Sequence, residues 1–223
     1  DGGAARGTYG YDARGLRTTT DDDRGTSTAT YDGDDRLIGF GSLSFENDPD
    51  GYRSATIQGG ARTDFDHDAL GHLRTVTLPG ETAVGYRYDI HGRRVARTVD
   101  GAADRAWVYG GALGPVAELD SVGNLESRFV YATAPHVPDL MVRGGVTYRL
   151  VHDIRGSVRQ VVDTRDGSVV QELDYDPWGR VLRDTNPDFQ PFTFAGGIRD
   201  PSTGLLRLGL RDYDPEVGRF LTP

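Results

Sequence analysis

Apolar and polar residues alternate with a period of two along short stretches of this chain. Tyr86-Arg87-Tyr88 is an example, and Arg93-Arg94-Val95-Ala96-Arg97 reads as the strand that returns after the next turn. That period puts successive side chains on opposite faces, as a half-buried β-strand requires. The stretches end at turn formers: Asp100-Gly101, Asp120-Ser121-Val122-Gly123-Asn124 and Asp163-Thr164-Arg165-Asp166-Gly167. Aliphatic pairs, Val161-Val162 and Val169-Val170, flank the last of these. Strand, turn and strand at this spacing predict an all-β array of antiparallel hairpins.

One unit recurs: an aromatic residue, an Asp, a short gap, a Gly, then a basic or apolar strand. Tyr11-Asp12-Ala13-Arg14-Gly15, Tyr88-Asp89-Ile90-His91-Gly92-Arg93 and Tyr175-Asp176-Pro177-Trp178-Gly179-Arg180 are clean copies. Tyr31-Asp32-Gly33-Asp34-Asp35 and Phe65-Asp66-His67-Asp68-Ala69-Leu70-Gly71 are degenerate, and His152-Asp153-Ile154-Arg155-Gly156 lacks the aromatic. Asp12 to Asp32 is 20 residues, and Asp66 to Asp89 and Asp153 to Asp176 are 23 each, one hairpin per unit. In each unit the Asp carboxylate can accept from backbone N–H groups just ahead, and the Gly can take positive φ. Asp89, Gly92, Asp153, Gly156, Asp176 and Gly179 are therefore read as turn formers. The tyrosines read as packing surface, with hydroxyls toward water or a partner. Arg93 and Arg180, placed after the turn Gly, are expected to lie over tyrosines of the adjoining unit.

Composition supports many short elements. The 223 residues include 31 Gly and 11 Pro, and only 36% are hydrophobic. A net charge of −9 disfavours nucleic acid and anionic membrane surfaces as partners. No apolar run approaches the roughly 20 residues of a membrane-spanning helix. With no cysteine, thiolate chemistry and Cys-ligated zinc are excluded; with no lysine, all 25 basic residues are arginine.

These features resemble the YD repeats of Rhs proteins, teneurins and the C subunits of insecticidal toxin complexes. The stretches His152–Arg159, Tyr175–Arg180, Phe194–Leu205 and Leu208–Leu221 resemble the Rhs repeat-associated core. The resemblance implies hairpin repeats over 1–130 and a core over 131–223 continuous with the same sheet, interrupted by a Pro-containing loop near 131–140. It implies a curved or spiralling shell, of which this chain is one end. Such a shell houses a C-terminal cargo, usually a toxin, and is secreted or displayed at the cell surface. The start at Asp1-Gly2-Gly3 suggests a piece of something longer.

The resemblance also implies an aspartyl-type self-cleavage in a longer parent. Arg211 and Asp212 are its candidate catalytic residues, an Arg beside a carboxyl pair that must hold one proton. The family's essential Asp falls just past Pro223, so self-cleavage is not expected of this chain. Asp200 and Asp214, each followed by Pro and, four residues on, by Gly, read as structural turns. An adhesion or glycan-binding surface using Trp107 and Trp178 is a further alternative. The five histidines form no HxH or HxxxH pair and the acidic runs lack EF-hand spacing, so neither metal nor cofactor is expected.

Overall fold

The computed structural model describes residues 7–111 and 114–223. The chain opens with β1 (Thr8–Tyr11), β2 (Arg17–Asp22), β3 (Gly25–Tyr31), β4 (Leu37–Phe40), β5 (Leu43–Asn47) and β6 (Arg53–Gln58). It continues through β7 (Ala61–His67), β8 (Leu73–Thr77), β9 (Ala83–Tyr88), β10 (Arg94–Val99), β11 (Ala102–Tyr109) and β12 (Pro115–Leu119). Then follow β13 (Leu125–Val130), β14 (Leu140–Arg143), β15 (Val146–His152), β16 (Val158–Asp163), β17 (Val169–Tyr175) and β18 (Val181–Asp184). These form one 18-stranded sheet. Every strand pairs antiparallel with its successor, so the sheet is a continuous meander. The expected all-β hairpin array is what the chain forms. Its ladder runs without a break from β13 across the 131–139 loop into β14.

A second sheet of four strands follows: β19 (Ile198–Arg199), β20 (Leu206–Leu208), β21 (Arg211–Asp214) and β22 (Arg219–Phe220). Laid flat, eighteen strands would extend roughly 80 Å. Yet this small sheet touches β2, β3, β6, β9 and β10, and the corner before β18. The large sheet must therefore curl around it. The ends of the curl meet through side chains: Tyr9 of β1 packs edge-on to Trp178 at 5.6 Å, and Arg180 pairs with Asp23. We call the large sheet the wall and residues 185–223 the plug.

The core explains why the wall cannot stand alone. Three apolar clusters line its inner face, and each is completed by the plug. Val217 enters the cluster of Leu37, Phe40 and Phe45. Leu205 and Leu221 enter that of Leu73, Val76 and Val84. Phe192, Phe194, Ile198 and Leu206 complete the cluster built on Trp107, Phe129 and Met141. A hairpin has no second layer of its own, so its apolar face needs such a cover.

Candidate functional site

The recurring corners lie at one end of the wall, because alternate turns of an antiparallel meander share an end. Asp12, Asp32, Asp68, Asp89, Asp153 and Asp176 each accept two backbone N–H groups on Oδ1, from residues two and four ahead, at 2.8–3.0 Å. The residue three ahead donates its N–H to the Asp carbonyl. It has positive φ throughout: Gly15, Gly71, Gly92, Gly156, Gly179 and, at the degenerate copy, Asp35 with φ 63°. Asp89 with Gly92, Asp153 with Gly156 and Asp176 with Gly179 each lie within one such hydrogen-bonded corner.

Two sequence assignments need correction. The corner near residue 66 begins at Asp68, since Phe65 and Asp66 lie within β7. A further corner, Asp48 to Gly51, went unrecognised because Asn47 stands where the tyrosine usually does. The corners from Asp12 to Asp89 therefore step by 16 to 21 residues.

Five of the repeat tyrosine hydroxyls do not face water or an outside partner. Tyr31, Tyr88, Tyr109, Tyr131 and Tyr175 each donate to a backbone carbonyl, of Arg17, Leu73, Arg94, Pro115 and Val158, at 2.7–2.9 Å. Each acceptor is the first residue of the strand following the previous corner. Asn47 does the same to Leu37 with its amide, at 3.3 Å. The residue ahead of the Asp is therefore a strut between neighbouring hairpins. Tyr11, with no described hairpin before it, is half exposed and makes no such bond among the described residues.

The joint between wall and plug is ionic. Arg97 meets Asp200 at 2.7 Å, Arg94 meets Asp212 at 2.6 Å and Arg53 meets Asp214 at 2.6 Å. Arg207 of β20 takes the second oxygen of Asp212 at 2.7 Å and also donates to the Gly92 carbonyl. The Tyr86 hydroxyl donates to Asp200 at 2.8 Å, and the Arg94 guanidinium stacks over the Tyr86 ring at 3.6 Å. Burial pushes the Asp200 carboxyl up, but Arg97, the Thr203 N–H and the Tyr86 hydroxyl together hold it below the usual carboxylate range. Burial likewise pushes the Tyr86 hydroxyl well above its ordinary value. Buried charges in such number are tolerable only when fully paired.

Asp200 and Asp214 do form turns, each accepting the N–H of the Gly four residues on, but their carboxylates also carry this joint. Their partners, up to 161 residues away, were missed from the sequence. Strand parity could not have found both: Arg94 and Arg97 are three apart, and both point inward only because the register of β10 shifts between Arg94 and Ala96. Arg211 and Asp212 are not brought together. They lie on opposite faces of β21: Arg211 is exposed with its guanidinium 3.8 Å over the Phe220 ring, and Asp212 is buried between Arg94 and Arg207. Arg93 lies over Tyr109 at 4.9 Å as expected, whereas Arg180 turns to Asp176 and Asp23. Trp107 is buried, and Trp178 is clamped by Tyr9 and Arg17, so neither offers an exposed platform.

A wall of Tyr–Asp hairpins curled around its own C-terminal strands defines a β-shell protein of the YD-repeat class. The teneurin YD-shell family matches residues 1–223, and the chain belongs to that family. Teneurin-1 of Gallus gallus is 31% identical over 199 residues, covering 86% of this chain and 7% of the teneurin. Teneurin-1 of Homo sapiens is 30% identical over 198 residues with the same coverage. The chain thus spans a small part of these relatives' length. A solved structure of the Photorhabdus luminescens Tc holotoxin pore shares the fold at TM-score 0.68 and 20% identity, over 97% of this chain and 12% of that one.

Proposed function

We propose that this chain is the plugged end of a hollow β-shell whose parent protein encloses a polypeptide cargo, most simply a C-terminal toxin, and works outside the cell or at its surface. The observation that carries this reading is the joint itself. A sheet of 18 strands curls around four strands of its own chain and fastens them with buried Arg–Asp pairs. Such a joint holds a wall shut around its plug. The test is limited proteolysis of a longer parent chain that includes the polypeptide beyond Pro223. That polypeptide should resist protease until the wall is unfolded. Cleavage as fast as that of the free segment would exclude encapsulation.

A second reading, self-cleavage of the parent, has one observation in its favour. Arg211 lines an open cavity beside Thr222 and Pro223, and no carboxylate pairs with it among the described residues. In this reading Asp212, fixed between two guanidinia, supplies the ionised member of a carboxyl pair. In a parent that cleaves itself, Arg211→Ala and Asp212→Asn should each leave the chain intact on a denaturing gel while it remains folded. Unchanged cleavage in both would end this reading. The burial of Trp107 and the packing of a half-buried Trp178 between Tyr9 and Arg17 weigh against a glycan-binding reading built on the tryptophans.

A further inference from the structure

The inner face of the wall is covered by the plug, and the outer face changes character along the strip. Over β5–β7 the outer face is polar and its charges are paired. Glu46 and Asp64 share a row by register, and both meet Arg62, at 2.8 Å and 2.6 Å. Over β13–β16 the outer face is apolar. Val130 faces Leu140, Leu140 faces Arg149, and Arg149 faces Val162. In the adjoining row Arg128 faces Val142. Parity points these side chains outward, because Phe129, Met141, Leu150 and Val161 beside them lie in the core. None of the three apolar clusters includes Val130, Leu140, Val142 or Val162, and Val130 is 45% exposed.

Charge decides what this strip can take. The chain carries a net charge of −9, yet Arg128 and Arg149 are exposed and have no carboxylate within ion-pair distance among the described residues. The flanking carboxylates, Glu126 of β13 and Glu172 of β17, are already taken by Arg143 and Arg183. The two free cations stand on opposite sides of β14, Arg128 on β13 beside Val142 and Arg149 on β15 beside Leu140. Each is about 5 Å from that strand at the ordinary sheet spacing. The result is an apolar ridge with a guanidinium on either flank. The end of the chain is elsewhere: Pro223 packs on Gly51, at the corner between β5 and β6. A second copy docked symmetrically by this face would set arginine against arginine. An acidic partner satisfies both flanks.

We propose that the outer face of β13–β16 is a docking surface for an acidic amphipathic helix of a partner protein. The apolar stripe of that helix lies on Val130, Leu140, Val142 and Val162, and carboxylates along its two edges reach Arg128 and Arg149. A helix laid on an open sheet face is ordinary layer packing. The four residues of β14 run about 13 Å, which two to three helical turns cover. Exposed guanidinia at the edges select the sign of the partner and speed its capture, while the buried stripe supplies the affinity. The surface is on the outside of the wall, so the proposal holds whatever the shell encloses.

The test is fluorescence anisotropy of two labelled synthetic peptides titrated with the 223-residue chain. Each peptide has about 18 residues, long enough to form a helix on binding. Both carry the same leucine stripe, flanked by glutamates in one and by lysines in the other. The glutamate peptide should bind saturably, roughly tenfold or more tighter than the lysine peptide, and more weakly as salt rises. The double variant Arg128→Glu, Arg149→Glu should reverse that preference. Leu140→Ser with Val142→Ser should weaken both peptides. Circular dichroism confirms that each variant is folded, and if the serine variant unfolds, the exchange at the two exposed arginines decides the matter. Equal binding of the two peptides, binding of neither at millimolar concentration, or a preference untouched by the arginine exchange overturns the proposal. Binding to phosphatidylglycerol vesicles in place of the glutamate peptide would make the face a lipid surface and overturn it as well.

Discussion

Tyr88 and Tyr11 occupy the same place in the repeat, and among the described residues Tyr88 has a carbonyl to reach while Tyr11 has none. The Tyr88 hydroxyl donates to Leu73 at 2.7 Å in a half-buried setting, while Tyr11 is exposed. Removing the hydroxyl of Tyr88 leaves that carbonyl without this donor, at a cost of about 0.5–1.5 kcal/mol. Tyr88→Phe should therefore lower the melting temperature by about 1–6 °C, given roughly 2–4 °C per kcal/mol at this size. Tyr11→Phe should leave it unchanged, and thermal melts of the two variants side by side check the pair. An equal drop in both would mean that the ring alone, and not its strut bond, holds the hairpins together. The strut was not legible as such in the sequence. Period and aromaticity marked the position, but the acceptor belongs to the previous hairpin, 14 to 17 residues away.

The corner is the element on which register depends. Its Asp Oδ1 fixes two N–H groups, and the residue three ahead must take positive φ. Asp35, with φ 63°, shows that a side chain is bearable there when space is open. Gly92, with φ 74°, is different, because a Cβ would stand 2.8 Å from Nε2 of His72. That ring cannot easily yield: it stacks on Tyr88 at 4.8 Å and its Nδ1 lies 3.0 Å from Asp68. Gly59 also has positive φ but meets nothing within 4 Å. Gly59→Ala should cost about 1–2 kcal/mol from backbone strain alone. Gly92→Ala should cost about 1 kcal/mol or more beyond that, as enforced overlap does in packed sites. Urea unfolding of both variants measures the difference, and equal midpoints would show that His72 moves freely. The Asp-to-Gly distance made the corners readable because the chemistry is local. It failed near His67, where aspartates at 66 and 68 offer two frames and only the hydrogen bonds choose. It failed again at Asp48, where an amide replaces the phenol.

At the scale of the whole molecule, wall and plug are joined by pairs that no local pattern announces, such as Arg97 and Asp200, 103 residues apart. Charge buried this deeply makes the joint depend on pH. The Asp200 carboxyl is held below its ordinary value in the folded chain, mainly by Arg97 against the opposing effect of burial. In the unfolded chain it returns to about 3.9. A carboxyl depressed by folding binds fewer protons in the native state, so its stabilisation is complete above that unfolded value. The stabilisation fades as pH falls through the lower folded one. Asp200→Asn removes the charge, leaving Arg97 with Asp104 as its one carboxylate among the described residues, beside the Ser202 hydroxyl. Breaking one side of a buried pair costs about 3–5 kcal/mol, and the surviving Asp104 contact puts this case at the low end. The variant should thus be much less stable than the natural chain at pH 7. The gap should narrow below pH 4, because the natural chain loses there what the variant never had. Urea midpoints for both proteins, measured from pH 7 to pH 2.5, test this. A gap of constant size across that range would mean that Asp200 is held by shape and neutral hydrogen bonds, and that the wall closes on its plug without the help of charge.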